Sequence, residues 1–322
     1  MSARRIDLRD KVLRNISAQG EVGAAWLAYL PTLVRKLEAN WGIKVGQIFP
    51  NATEASVAAA VTTDNEEVAL KIPIPGIEKT NREFRALQAA NGRGYVRLLQ
   101  HDAASGAMLL ERLGPQLAQL GLPIEKQIEI ICSTLQQGWM PLPSGLRLMS
   151  GAEKASGLAS YIESVWPKLG KPCSEKAIAI GLRFAKARAD AFDPNSAVLA
   201  HGDAHAWNTL QDPKTQGFKF VDPDGLFIER AHDLSISMRE WSAELLAGDP
   251  VALGRQRCAL LSRLTGVDAE AIWQWGFIER LVNGLLYKEI GPEENAAEFL
   301  AVVEAWADVE VSYFPAQNSN RL

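Results

Sequence analysis

The sequence predicts an α+β chain of two lobes, an antiparallel sheet with one helix followed by a mainly helical lobe. Three observations predict it. Short β-branched and apolar runs crowd residues 43–112, apolar residues three and four apart recur beyond residue 124, and Gly114-Pro115 divides the two patterns. The 322 residues, 47% of them apolar, suffice for two cores, with an expected N-terminal lobe over 1–112 and a C-terminal lobe over 113–322.

In chain order, an apolar helical stretch over 24–37 leads in. Residues 43–49, 56–62 and 67–71 read as strands, with Thr63-Asp64-Asn65-Glu66 as the turn between the last two. Residues 80–90 read as a helix with Phe84 and Leu87 on one face, closed by Gly92 and Gly94; 95–99 and 107–110 complete a five-stranded sheet. Ile124, Ile128, Ile131, Leu135 and Trp139 then mark a long helix. Helices follow over 153–169 and 174–192, with three more near 234–247, 269–287 and 296–313. Between these groups lies a non-helical island, 197–225.

Composition narrows the function. A net charge of −4 without a Lys/Arg run excludes a nucleic-acid partner, and no stretch approaches the roughly 20 apolar residues of a membrane span. The charged N-terminus, MSARRIDLRDKVLRN, has no apolar signal core, so a cytoplasmic protein is expected. Cys132, Cys173 and Cys258 are too far apart for metal spacing and read as buried thiols. From Asp222 onward 17 acids face 8 bases, a balance of −9 that would steer a cationic ligand inward.

The island carries His201-Gly202-Asp203, then Asn208, then Asp222 after a turn at Asp212-Pro213-Lys214. Phosphoryl transfer is mostly positioning and charge neutralisation, and these types suit its tasks. Asp203 would accept or orient the proton of an acceptor hydroxyl. Asn208, through its amide oxygen, and Asp222 would be hard oxygen ligands for Mg²⁺, joined by a hairpin.

At these residues the chain resembles the aminoglycoside phosphotransferase family of the protein-kinase-like fold, whose HGDxxxxN loop precedes an IDP or VDP aspartate; here they read HGDAHAWN and VDPDGL. The segment VDPDGLFIERAHDLSISMREW is most similar to the streptomycin kinase and hydroxyurea phosphotransferase subgroup, with AHDL in place of a YDL-like element. The resemblance is strong over 199–241, moderate over 67–112 and architectural elsewhere. It implies a two-lobed fold with ATP, or GTP, in the cleft and Mg²⁺ beside it. The implied reaction moves the γ-phosphoryl group to a hydroxyl of a small cationic acceptor such as streptomycin, inactivating the antibiotic. A kinase of choline, fructosamine, methylthioribose or homoserine type is the alternative with the same machinery.

The resemblance further implies that Lys71, in VALKI, contacts the α and β phosphates with Glu83 as its partner. Thr80-Asn81-Arg82-Glu83 also reads as a capping box, which would give Glu83 a purely local role. Residues 108–113 would form the hinge, Glu111 and Leu113 presenting backbone groups to adenine.

The chain departs from the family in three places. The nucleotide-covering loop, 49–56, has no glycine and would rely on Asn51, Thr53 and Ser56. Ala206 and Trp207 replace a Pro-Gly pair, and Asp224 stands at an often basic position. Around the acceptor, His205, Asp224, Glu240 and Trp241 are the candidates, with Glu244 and Glu279 as further acids. His201 is expected to hold the loop, and Asp233 to cap a helix or support the loop. A metallophosphoesterase, echoed by GDxHxxN, needs downstream histidines, and only His232 follows. A non-catalytic nucleotide binder would not need Lys71, Asp203, Asn208 and Asp222 together.

Overall fold

The computed structural model describes residues 13, 16, 17, 19–49, 55–75 and 79–313. Asn51 and Thr53 of the expected nucleotide-covering loop lie outside the described residues. The chain groups into two compact units, Met1–Gln116 with Leu210–Asp224, and Leu117–Thr209 with Gly225–Leu322.

The first unit holds helix α1 (Gly20–Trp41), strands β1 (Ile43–Ile48), β2 (Ala55–Thr62) and β3 (Glu67–Pro73), helix α2 (Lys79–Ala90), and strands β4 (Leu98–Asp102) and β5 (Ala107–Glu111). The five strands form one antiparallel sheet in the order β1-β2-β3-β5-β4. Strand alternation sorts its side chains: Ala58, Ala60, Val68, Leu70 and Ile72 join Leu30, Leu33, Val34 and Leu37 of α1 in one core, while Lys71 points to the other face. β4 begins at Leu98 rather than Tyr95, because Tyr95 bridges to Phe220 and the Val96 N–H donates to the Phe220 carbonyl.

That contact explains why 210–224 joins this unit instead of the helices that flank it in sequence. The segment continues β8 (Thr209–Gln211) and contains β9 (Phe218–Phe220), paired as a hairpin. The Gly114 N–H donates to the Gln211 carbonyl and the Gln211 N–H to that of Pro115. Lys219 Nζ lies 2.6 Å from the Glu111 carboxylate.

The second unit is mainly helical: α3 (Ile124–Gly138), α4 (Gly151–Lys168), α5 (Glu175–Asp190), α6 (Arg230–Arg239), α7 (Ser242–Ala247), α8 (Pro250–Thr265), α9 (Ala269–Ile290) and α10 (Glu293–Tyr313). A small sheet of β6 (Met149–Ser150), β10 (Leu226–Ile228) and β7 (Val198–Ala200), in that order, accompanies them. α9 is buried at every position from Ala271 to Leu281, as befits a central helix. Gly276 lets it lie against Met238 of α6, where a Cβ would stand 2.6 Å from Met238 Cβ. The single helix expected over 234–247 is broken at Glu240 and Trp241, the latter left-handed at φ 56°. The three cysteines are free and buried, and burial pushes each thiol up to about 12. Among the described residues no helix is long and apolar enough to cross a membrane.

Candidate active site

In the second unit, the HGDAHAWN segment leaves the buried strand β7 as an irregular loop, so its backbone groups need partners from elsewhere. Asp233 of α6, fully buried, supplies them. Its carboxylate accepts from the N–H of His201 (3.0 Å), the N–H of Gly202 (2.7 Å) and Trp139 Nε1 (2.9 Å). Gly202 sits at φ 88°, a conformation that costs glycine little. The buried His201 ring accepts the Asp203 N–H at Nδ1, 3.1 Å, and holds the turn.

This frame presents the Asp203 side chain, one quarter exposed, to two partners. Arg239 Nη2 donates to Oδ1 at 2.8 Å, and His205 Nε2 lies 3.3 Å from Oδ2. Burial alone would raise the Asp203 pKa; the Arg239 charge and the His205 hydrogen bond overcome it and hold the carboxyl well below its usual range. Burial opposes charge on His205 too, but the Asp203 carboxylate raises its pKa. His205 Nδ1 accepts the Asn208 N–H at 3.2 Å, which fixes the neutral ring as the Nε2–H tautomer facing Asp203. Asn208 Nδ2 donates to the Asp203 carbonyl at 3.1 Å, so its amide oxygen is the end suited to a cation.

Arg239 was not legible as a site residue in the sequence. It ends α6, six positions after Asp233, so one helix grips the loop twice. The turn that follows is pinned by two buried arginines. Arg280 donates to the Met238 carbonyl (2.8 Å), the Glu240 carbonyl (2.9 Å) and Ser242 Oγ (2.9 Å), and Arg257 donates to the Glu240 carbonyl (2.8 Å). Burial and the neighbouring Arg257 bring Arg280 down to about 9. Of the acceptor-side candidates, Glu240 contacts Arg239 at 3.1 Å and Trp241 lies 5.3 Å beneath the Arg257 guanidinium. Glu244 pairs with Arg257. Glu279 is buried in α9, which removes it from the acids open to a ligand's cation.

The first unit assembles Lys71, Glu83 and Asp222. Lys71 Nζ, 8% exposed as a residue, lies 2.6 Å from Glu83 and 2.9 Å from Asp222. Burial would lower its pKa, but the Asp222 and Glu83 carboxylates reverse the shift and raise it. Glu83 is therefore a partner of Lys71. Asp222 is left-handed at φ 63°, a strain that non-glycine residues tolerate at functional positions, and its side chain is 37% exposed. Asp222, with one oxygen on Lys71, is a hard oxygen donor of the first unit, and the Asn208 amide oxygen is one of the second. Among the described residues no cluster of three or more His, Cys, Asp or Glu side chains could hold a metal alone. Each of the two is the kind of oxygen donor that suits Mg²⁺, a cation that keeps water and phosphate in its shell.

Ser56, Glu111 and Leu113 are the other nucleotide-side candidates. Ser56 is 6% exposed and opposes Ile72, on the core face; Val57, opposite Lys71, shares the lysine's face. The Ser56 hydroxyl thus belongs to the core, because a one-residue step along a strand reverses the face. Glu111 gives its carboxylate to Lys219 and to the Arg97 N–H (2.7 Å), and Leu113 is buried. Met108, opposite Lys71, and Leu110, opposite Ala69, share the lysine's face. Asp224 is half-buried at the end of the hairpin segment.

A family model described as aminoglycoside/hydroxyurea antibiotic resistance kinase matches residues 42–291. A streptomycin 6-kinase from Streptomyces glaucescens is 26% identical over 269 residues, 83% of this chain and 86% of that protein. Among solved structures, the choline kinase LicA from Streptococcus pneumoniae superimposes with a TM-score of 0.59 at 17% identity, covering 87% of this chain and 99% of that one. An aminoglycoside phosphotransferase from Streptomyces rimosus, solved with ADP and streptomycin, gives a TM-score of 0.52 at 16% identity over 79% of this chain and 98% of that one.

Proposed function

The chain belongs to the aminoglycoside/hydroxyurea antibiotic resistance kinase family, a family of phosphotransferases, and on that premise we propose that it transfers the γ-phosphoryl group of ATP, with Mg²⁺, to a hydroxyl of a small cationic antibiotic of the streptomycin type. The observation that carries the reading is the Asp203 carboxylate, held ionised between Arg239 and His205 in a loop locked by Asp233.

A carboxylate held so far below its usual pKa is a weak base. Asp203 therefore acts by orienting the acceptor hydroxyl, its proton leaving late, which suits a loose transition state with little charge on the attacking oxygen. Lys71, fixed by Glu83, neutralises the donor phosphates. Bound Mg²⁺ would supply charge for the transferring group, with Asn208 and Asp222 as its protein oxygens. Adenine would rest on the apolar side chains that share the Lys71 face, Val57, Met108 and Leu110. Glu240, with a side chain 29% exposed, is the carboxylate offered to the acceptor's cation, since Glu279 is buried.

The test is an ADP-release assay with ATP and Mg²⁺ against streptomycin, 2-deoxystreptamine aminoglycosides, hydroxyurea, choline and amino sugars. Saturable turnover with streptomycin supports the reading, turnover with choline alone replaces the acceptor, and silence with every acceptor overturns the proposal. Asp203→Ala should lower turnover by roughly 10²- to 10⁴-fold. It should stay folded, because Arg239 keeps Glu240 and Glu279 as partners. Near-wild-type turnover would remove Asp203 from the mechanism.

A further inference from the structure

Glu279 is a carboxylate that the site described above does not use. It is fully enclosed, its side chain 5% exposed in the middle of α9, yet three bases converge on it: His232 Nε2 at 3.3 Å, Lys154 Nζ at 3.8 Å and Arg239 Nη1 at 3.8 Å. Burial would raise its pKa, and Lys154 and His232 instead take it down to about 2. A buried anion costs several kcal/mol of desolvation unless it is compensated, so its place needs a reason.

The geometry of Arg239 supplies one. Its guanidinium meets three carboxylates: Nη2 donates to Asp203 at 2.8 Å, Nε donates to Glu240 at 3.2 Å, and Nη1 faces Glu279 at 3.8 Å. The contacts to Asp203 and Glu240 lie on one side of a planar fork and both carboxylates are partly exposed, whereas the enclosed Glu279 charge draws the remaining nitrogen inward and opposes a swing of the fork toward solvent. The next residue on α9, Arg280, fixes the backbone of the same turn through the Met238 and Glu240 carbonyls. α9 thus grips Arg239 by side chain and by main chain.

We propose that Glu279 is a positioning residue for phosphoryl transfer, anchoring the far end of Arg239 so that the Asp203 carboxylate is aimed at the acceptor hydroxyl. The inference rests on the phosphotransferase reading. It assigns Glu279 a role opposite to that of an acid that binds the acceptor, because its charge is already met by Lys154 and Arg239 and it is sealed from solvent.

The two roles separate kinetically. Glu279→Gln should lower kcat roughly 10- to 100-fold, the effect of a small misplacement of a reacting group. The KM values for ATP and acceptor should change by less than about twofold, since ground-state binding is untouched. On an Arg239→Lys background, which removes the fork, Glu279→Gln should cost almost nothing further in kcat. Unchanged kcat, a raised acceptor KM with normal kcat, or full additivity with Arg239→Lys would each overturn the proposal. A purely structural role is distinguished by Lys154→Met combined with Glu279→Gln, which restores local charge balance. Low kcat in that folded double variant is expected, and recovery of wild-type kcat would overturn the anchoring role. Should the Gln variants fail to fold, Glu279→Asp keeps the charge while shortening its reach, and normal kcat there would be equally fatal. Wild-type protein that transfers phosphate to no acceptor would sink the phosphotransferase reading instead, an outcome visible before any variant is made.

Discussion

The two units each bury a cation among carboxylates, and they do so to different ends. In the N-terminal unit Lys71 lies between Glu83, 4% exposed at the side chain, and Asp222, 37% exposed. In the other, Arg239 lies among Asp203, Glu240 and Glu279, with Glu279 enclosed and itself compensated by Lys154. An exposed carboxylate can change partners cheaply, because water solvates whatever it releases. A buried one cannot, because every rearrangement leaves an unpaired charge in a poorly polarisable medium. By that measure Asp222 is the contact of Lys71 that is cheap to exchange, and Glu279 is the contact of Arg239 that is costly to lose, with Asp203 and Glu240 between them at 25% and 29% exposed.

The largest test of that contrast is Arg239→Ala, which takes from Asp203, Glu240 and Glu279 the cation they share. It should destabilise the protein by about 3–5 kcal/mol in urea unfolding. A loss no greater than that of an exposed pair would erase the distinction. Asp222→Asn should be the opposite case, abolishing Mg²⁺-dependent transfer while changing stability by less than about 1 kcal/mol. Transfer that keeps its Mg²⁺ dependence in that variant would remove Asp222 as a ligand.

Acid titration sharpens the comparison further. Glu279 has its pKa depressed from 4.5 to about 2, so the stability it contributes is complete above 4.5 and is lost as pH falls from there toward 2. Asp203, depressed from 3.8, adds to the same acid limb. Unfolding free energies measured from pH 5 downward should therefore fall less steeply in Glu279→Gln than in the wild type, and parallel slopes would count against the depressed pKa. The smallest effect belongs to Ser56→Ala. Its hydroxyl lies on the core face, so the KM for ATP should be unchanged, and a several-fold rise would return Ser56 to the nucleotide site.

Much of this was legible in the sequence where the signal is local. The meander and its turn residues gave the sheet, and HGDAHAWN with VDPDGL marked the loop and the hairpin end. Helix α8 was missed although Asp249 caps it, Pro250 opens it and Gly266 closes it. Its buried face is Gly254, Arg257, Cys258 and Leu261, which makes no aliphatic stripe, and Gly254 is there to admit Trp306. The break at Trp241 was hidden for another reason. Nothing about tryptophan favours a left-handed backbone; the carbonyls that Arg257 and Arg280 hold impose it from distant positions. Arg239 was invisible likewise, since its meaning depends on Asp203, Glu240 and Glu279 meeting it in space.

The hairpin segment has a consequence for how the molecule is made. Synthesis delivers residues up to Gln116 first, but their unit is completed only by Leu210–Asp224, which bring Phe220 to Tyr95 and Asp222 to Lys71. The five strands are all present by Glu111, but these two contacts wait until the first part of the helical unit, Leu117–Thr209, has also been made. No single cut in the gene separates the two units, and a fragment ending at Gln116 keeps its five strands but lacks the hairpin that meets Tyr95 and Lys71.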